Sequence, residues 1–258
     1  MEAPQFLRNI YPEGYESSVP DGSRPFVTLT YAQSIDGCIA GQAGKQILLS
    51  GKESMVMTHW MRTLHAGILV GSNTLRNDNP QLNTRHLPTR IEPYNQPRPI
   101  ILDTHIKMPP DCKLVQNFQR GVGIQPWILA GHSDPADVSR IQRKAALEAL
   151  GVKIIEVGTT ASQQIDLTEA LIALRTNGIS SLMVEGGASV IASFLDLRDP
   201  NGQPVVDMHI VTVAPMIVGS EGVQAVSLIS TTPVMHPVAA EVFGKDAVFA
   251  SKLRGDKP

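Results

Sequence analysis

Ala66-Gly67-Ile68-Leu69-Val70-Gly71-Ser72-Asn73-Thr74-Leu75-Arg76-Asn77-Asp78-Asn79-Pro80-Gln81-Leu82-Asn83-Thr84-Arg85 brings apolar strand signal, glycine, hydroxyl, carboxylate and arginine into one stretch. Residues 68–70 form a β-branched and leucine run too compact for a helix, and the run stops at Gly71 as a buried strand stops at a turn. Polar side chains follow at once. In α/β sheets the carboxyl ends of parallel strands present loop backbone and helix N-termini to a crevice, and ligands sit there. Two readings stand at this point: an ordinary strand-to-helix connection with Asp78-Asn79-Pro80 as a helix-ending turn, or a ligand-contacting wall.

Working outward, 258 residues suffice for one large α/β domain or two small ones, and 42% hydrophobic with 18% charged residues describes a globular protein. No apolar run reaches the ~18 residues that span a bilayer. The start, Met1-Glu2-Ala3-Pro4-Gln5, lacks the basic and apolar regions of a signal peptide, so the expected location is cytoplasmic. Cys38 and Cys112, far apart, make neither a disulfide framework nor a zinc cluster and suit a reducing compartment. A net charge of −2 argues against a nucleic-acid surface. An anionic ligand must therefore be held by local arginines and backbone N–H groups.

Residues 1–24, rich in Pro and Gly, read as an irregular arm with a short helix near residues 5–9. Residues 26–32 form a first strand with apolar positions on both faces, closed by Ser34-Ile35-Asp36-Gly37, where Asp36 reads as a turn former. Ser50 with Glu53 reads as a capping box for a helix starting at Gly51, with Met57, Trp60, Met61 and Leu64 as its core stripe and Arg62 on the other side. Residues 82–99 read as a long loop. Strands at residues 99–103, 127–131 and 152–158 alternate with a helix opened by Ser133 or Asp134 and Pro135, whose face is Val138, Ile141, Ala145 and Leu150. A further helix is capped by Asp166. This alternation predicts right-handed crossovers and a mostly parallel sheet. Residues 179–185 then run into Gly186-Gly187-Ala188-Ser189-Val190, a strand, a glycine pair and a helix start, where backbone can approach a phosphate. Late strands at residues 205–216 and 248–253, with no crossover helix between residues 203 and 217, predict an antiparallel end to the sheet. No internal repeat and no second domain is visible, so residues 1–258 read as a single domain with residues 1–24 as its arm.

Four motifs, in order, give the chain a resemblance: Thr30-Tyr31-Ala32-Gln33-Ser34-Ile35-Asp36-Gly37; Gly67-Ile68-Leu69-Val70-Gly71 with Thr74 and Asp78-Asn79-Pro80; Arg98-Pro99-Ile100-Ile101-Leu102-Asp103; and Val184-Glu185-Gly186-Gly187-Ala188. As a set they resemble the riboflavin-pathway reductases, and most of all the fungal 2,5-diamino-6-ribosylamino-4(3H)-pyrimidinone 5′-phosphate reductases. The resemblance implies a dihydrofolate-reductase-like three-layer α/β fold with a mostly parallel central sheet and an antiparallel C-terminal edge. It also implies NADPH as cofactor, a homodimer, and reduction of the ribosylamino side chain to ribitylamino. Carried over residue by residue, Thr74, Asp78, Thr104, Val157, Gly186, Gly187, Ala188, Ser189 and Val190 would contact the cofactor; Ser50, Arg62, Arg85 and Glu185 would contact the phosphorylated substrate. A phosphate suits charge-assisted donors such as Arg62 and Arg85, and aminopyrimidine N–H groups suit an acceptor such as Glu185. Bacterial members often carry lysine where this chain has Thr30. The zinc deaminase ligands H-x-E and P-C-x-x-C are absent from the sequence, so the expectation is reduction without deamination and no metal. The competing expectations are a dihydrofolate or other pteridine reductase, and a non-catalytic NADPH-binding regulator.

Overall fold

The computed structural model describes residues 3–19, 22–132, 134 and 136–254. A helix α1 (Gln5–Ile10) precedes strand β1 (Phe26–Ser34), followed by β2 (Cys38–Ala40), α2 (Lys52–Thr63), β3 (Gly67–Gly71), α3 (Ser72–Asp78) and β4 (Arg98–Leu102). Next come α4 (Lys113–Gln119), β5 (Trp127–Gly131), α5 (Val138–Ala149), β6 (Lys153–Val157), α6 (Leu167–Thr176), β7 (Ser181–Glu185) and α7 (Ala188–Asp196). The last elements are β8 (Met208–Ala214), β9 (Val223–Gln224), β10 (Met235–Phe243) and β11 (Asp246–Leu253).

Nine strands form one sheet in the order β10-β11-β8-β1-β7-β3-β4-β5-β6. All pairs from β8 to β6 are parallel, and β11 and β10 add antiparallel at one edge. Burial on both faces explains the unbroken apolar runs of the central strands. In β3, Ile68 and Val70 pack into the core beneath α1 to α5, whereas Leu69 packs into the core beneath α6 and α7. The result is three layers with β10 and β11 as an antiparallel end; of the two late strands expected there, residues 248–253 belong to it in β11, whereas β8 runs parallel to β1 because the crossover through α7 precedes it. Among the described residues no helix is long and apolar enough to cross a membrane.

Several local expectations are revised. The N-terminal arm is part of the core, because α1 buries Phe6, Leu7 and Ile10, and Phe6 meets Phe243 edge to face at 5.6 Å. Ser50 does not cap α2. Its N-cap is Gly51, whose N–H donates to the carboxylate of Asp246 at 2.6 Å, so the anion that the helix end requires comes from the far end of the chain. Asp166 does cap α6, accepting from the N–H groups of Thr168 and Glu169. In α5 the buried side is Arg140 and Leu147, and Val138 and Ile141 are exposed. Its cap is Asp137, and Asp134 instead accepts the N–H of Ala136 in the preceding turn. Ser133 and Pro135 lie outside the described residues. The elements α4, β2, β9 and β10 were not legible in the sequence.

Candidate active site

The register of β1 creates the site. Its pairing with β7 ends at Thr30↔Glu185, but its pairing with β8 continues to Ser34↔Ala214. Beyond Thr30 the two halves of the sheet separate, and a cleft of about 920 Å³ opens at the carboxyl ends of the strands. The opening stretch is one wall, since Gly71, Thr74, Asp78 and Arg85 all line it. Tyr31 and Thr212 line the opposite side, and residues 185–190 form the floor.

On the floor, Glu185 is fixed from behind. Arg62 of α2 donates to Oε1 from Nε (3.1 Å) and Nη2 (3.0 Å) and to Oε2 from Nη2 (2.8 Å), while its Nη1 donates to the carbonyl of Asn83 at 2.9 Å. Arg62 is buried and does not itself line the cleft, whereas Glu185 does. Two turns of structure distant in sequence, the end of β7 and the loop after α3, are thereby tied to one guanidinium. A bidentate arginine locks the carboxylate plane and leaves the remaining lone pairs for another donor.

Next to Glu185 the chain turns through Gly186 and Gly187 into α7, which carries no side-chain cap. A Cβ on Gly186 would lie 2.7 Å from Val190 Cβ, and one on Gly187 would lie 3.3 Å from Thr74 Oγ1 across the cleft. The glycines are needed for this close approach, and the first turn of α7 presents N–H groups suited to phosphate oxygens. Thr74, Asp78, Thr104, Gly186, Gly187, Ala188, Ser189 and Val190 all line the same cleft, as do Ser50, Arg85 and Glu185. Val157 does not. It is buried at the end of β6 and paired with Gly131, whose N–H donates to the carbonyl of the cleft residue Thr104 at 3.2 Å.

The cleft wall raises the pKa of Asp78 by partial desolvation. Tyr31 is pushed to about 12 by burial, its hydroxyl 3.3 Å from His209 Nε2. Asp36 is more than a turn former. It accepts from Ser34 Oγ, Val218 N and Gly219 N, which holds its carboxyl down at about 2 and pins the loop after β8 to the end of β1. Sequence reading missed Tyr31, Lys113 and Thr212 as cleft residues. Lys113 and Arg85 are the two Lys or Arg side chains that line it among the described residues. Lys113 opens α4, an unread helix. Its signal, Leu114, Val115 and Phe118 at helical spacing, is obscured by Pro109-Pro110 before it and Gly121 after it.

A parallel sheet with β7 inserted between β1 and β3, and a long crevice where β1 parts from β7, is the architecture of dihydrofolate-reductase-like reductases. The family model described as the RibD C-terminal domain matches residues 25–249, and the chain belongs to that family. It is 34% identical over 229 residues to the 2,5-diamino-6-ribosylamino-4(3H)-pyrimidinone 5′-phosphate reductase of Candida glabrata, covering 86% of this chain and 85% of that one. The Saccharomyces cerevisiae reductase of the same name is 35% identical over 225 residues, covering 86% and 84%. Among solved structures, the Saccharomyces cerevisiae riboflavin biosynthesis reductase Rib7 superposes with a TM-score of 0.73 at 28% identity, over 97% of this chain and 98% of that one. Acinetobacter baumannii RibD shares the fold with a TM-score of 0.74 at 22% identity, over 96% of this chain and 63% of that one.

Proposed function

We propose that this protein reduces the ribosylamino side chain of 2,5-diamino-6-ribosylamino-4(3H)-pyrimidinone 5′-phosphate to the ribitylamino form, with NADPH as reductant. The observation that carries the reading is one cleft with two chemistries. A glycine turn and open helix start stand beside Thr74, and an arginine-fixed carboxylate stands beside the cation Arg85. A cofactor binder alone has no use for the second set.

The nicotinamide cofactor supplies hydride. The residues at hand fit it: the Gly186-Gly187 turn leaves room where a Cβ would collide, and Thr74, Asp78 and Ser189 offer polar contacts along the same wall. Thr104 lines the same cleft and Val157 does not. Glu185 accepts the aminopyrimidine N–H groups, Arg62 holds Glu185 in the plane to do so, and Arg85 takes the 5′-phosphate, with Ser50 at the rim. The substrate's C1′–O4′ bond breaks as the amine N–H proton is lost and O4′ is protonated, which gives a C1′=N imine and an open-chain C4′ hydroxyl with no net change of protons. Hydride then adds to C1′ and a proton to nitrogen, and the protein's part is alignment and exclusion of water.

We read residues 1–258 as one reductase domain, supported by the packing of α1 into the same core as β1 and α2. We read the molecule as a cytoplasmic homodimer. Supporting this are two buried free cysteines and an uncovered apolar sheet edge with Val238, Val242 and Phe249 exposed. Following the nicotinamide absorbance with the ribosylaminopyrimidine phosphate and, separately, with dihydrofolate tests the reading. Oxidation of NADPH with the first alone supports it; turnover of dihydrofolate alone, or of neither, overturns it.

A further inference from the structure

One buried histidine near the cleft has no part in the chemistry above. His59, on α2 one turn before Arg62, is 2% exposed. Its Nδ1 accepts the main-chain N–H of Arg85 at 3.1 Å. An amide can donate only to an unprotonated nitrogen, so His59 must be the neutral tautomer with its proton on Nε2. Burial first, then the neighbouring Arg62, Arg85 and His86, hold its pKa down to about 3, which keeps that nitrogen bare.

The segment so held is under constraint. Leu82 (φ 49°) and His86 (φ 60°) both sit in the left-handed region that side-chain-bearing residues avoid, one on each side of residues 83–85. Each residue between them is tied down. The carbonyl of Asn83 accepts from Arg62, the N–H of Thr84 donates to Gln96 Oε1 at 2.7 Å, and the N–H of Arg85 donates to His59. The guanidinium of Arg85 then leans on two side chains of the same loop, Asn83 Oδ1 (2.9 Å from Nη1) and His86 Nε2 (3.1 Å from Nε). The His86 ring meets that of His59 edge to face, with centroids 5.0 Å apart. Thus His59 bears on the loop through the backbone of Arg85 and through the ring that braces its side chain.

We propose that His59 is a positioning residue for substrate affinity: from the core it holds the backbone of Arg85 and the bracing ring of His86, and so aims the Arg85 guanidinium at the anionic end of the substrate. The inference rests on the reading of Arg85 as the phosphate contact. An exposed arginine on an untied loop would pay ordering entropy on each binding event, whereas a pre-set one does not.

The test uses the full chain. In ¹⁵N spectra of histidine-labelled protein at neutral pH, His59 is expected as the Nε2–H tautomer; an Nδ1–H tautomer or an imidazolium overturns the proposal without any mutation. His59→Leu is expected to raise the KM for the phosphorylated substrate about tenfold. The KM for NADPH and kcat are expected to stay within about twofold, and the KM for the 5′-dephosphorylated nucleoside is expected to be unmoved, far inside the tenfold of a lost hydrogen bond. His59→Asn, whose amide oxygen falls near the Nδ1 position, is expected to recover most of the loss. An equal KM rise for both substrates, no rise, or no recovery in His59→Asn overturns the proposal. Arg85→Ala measured alongside separates the two failures. If it leaves the KM unchanged, the phosphate reading of Arg85 falls; if it raises the KM and His59→Leu does not, only the role of His59 falls.

Discussion

Replacing Arg62 by methionine removes the guanidinium but keeps the apolar stem that packs in α2. The side chain is 10% exposed and its partner Glu185 23%, so water replaces little of what is lost. Three contacts to the carboxylate between 2.8 and 3.1 Å disappear, and the Asn83 carbonyl loses its donor. Breaking one side of a buried pair costs about 3–5 kcal/mol, and the partial exposure of Glu185 favours the lower end, about 3 kcal/mol. For a chain of this size each kcal/mol moves the melting temperature by roughly 2–4 °C, so Tm should fall by roughly 6–12 °C. Urea denaturation of the parent, Arg62→Met, Glu185→Gln and the double variant measures the coupling. The double variant should lose less than Arg62→Met alone, because it leaves no stranded charge. A loss below about 1 kcal/mol for Arg62→Met, or strict additivity in the cycle, would refute the description of Glu185 as a carboxylate fixed from behind.

Four further outcomes are expected. His59, His65 and His209 are held by burial at about 3, about 4 and about 4, below the ordinary 6.5, so the unfolded chain takes up protons that the folded chain refuses. Their stabilising contribution is present above pH 6.5 and lost as pH falls toward 4, by up to about 1.4 kcal/mol per pH unit each, which denaturant midpoints between pH 7 and 5 will register. Gly186→Ala places a Cβ 2.7 Å from Val190 Cβ and should weaken NADPH affinity by about tenfold or more in a fluorescence titration, since the first turn of α7 must shift. Asp246→Ala strips the carboxylate from Gly51 N (2.6 Å) and Ser54 Oγ (2.5 Å) and should cost about 2–3 kcal/mol in thermal denaturation. If the proposed homodimer forms through the sheet edge of β10 and β11, Val242→Lys should sediment more slowly than the parent species; an unchanged sedimentation coefficient would exclude that edge as an interface.

What was readable in the sequence follows from what was periodic. The parallel strands announced themselves because burial on both faces leaves runs such as Ile100-Ile101-Leu102 with no polar residue to confuse them. Asp166 was readable as a cap because its partners lie two and three residues away. The cap of α2 was not, because its anion, Asp246, arrives from residues that no local window contains. Strand β10 carries Pro237 at a bulge, and most of its residues are exposed, so it shows no alternation. The apolar face assigned to α5 fails because the buried Arg140 reaches back to the carbonyls of Thr104 and Gly131, a long-range duty that outranks hydrophobic patterning. At the site, the glycine pair and the wall containing Thr74 and Asp78 were visible as a motif. The hold of Arg62 on Glu185 and of His59 on Arg85 was not, since each joins residues that only the fold brings together.

Hydride transfer between two ligands held in one cleft leaves a direct isotopic record. With NADPH deuterated at the transferring position of nicotinamide C4 and the ribosylaminopyrimidine 5′-phosphate as acceptor, mass and NMR spectra of the product should show deuterium at C1′ of the new ribityl chain. Product without deuterium at that carbon, or no ribityl product at all, would mean that the cleft does not carry out this transfer.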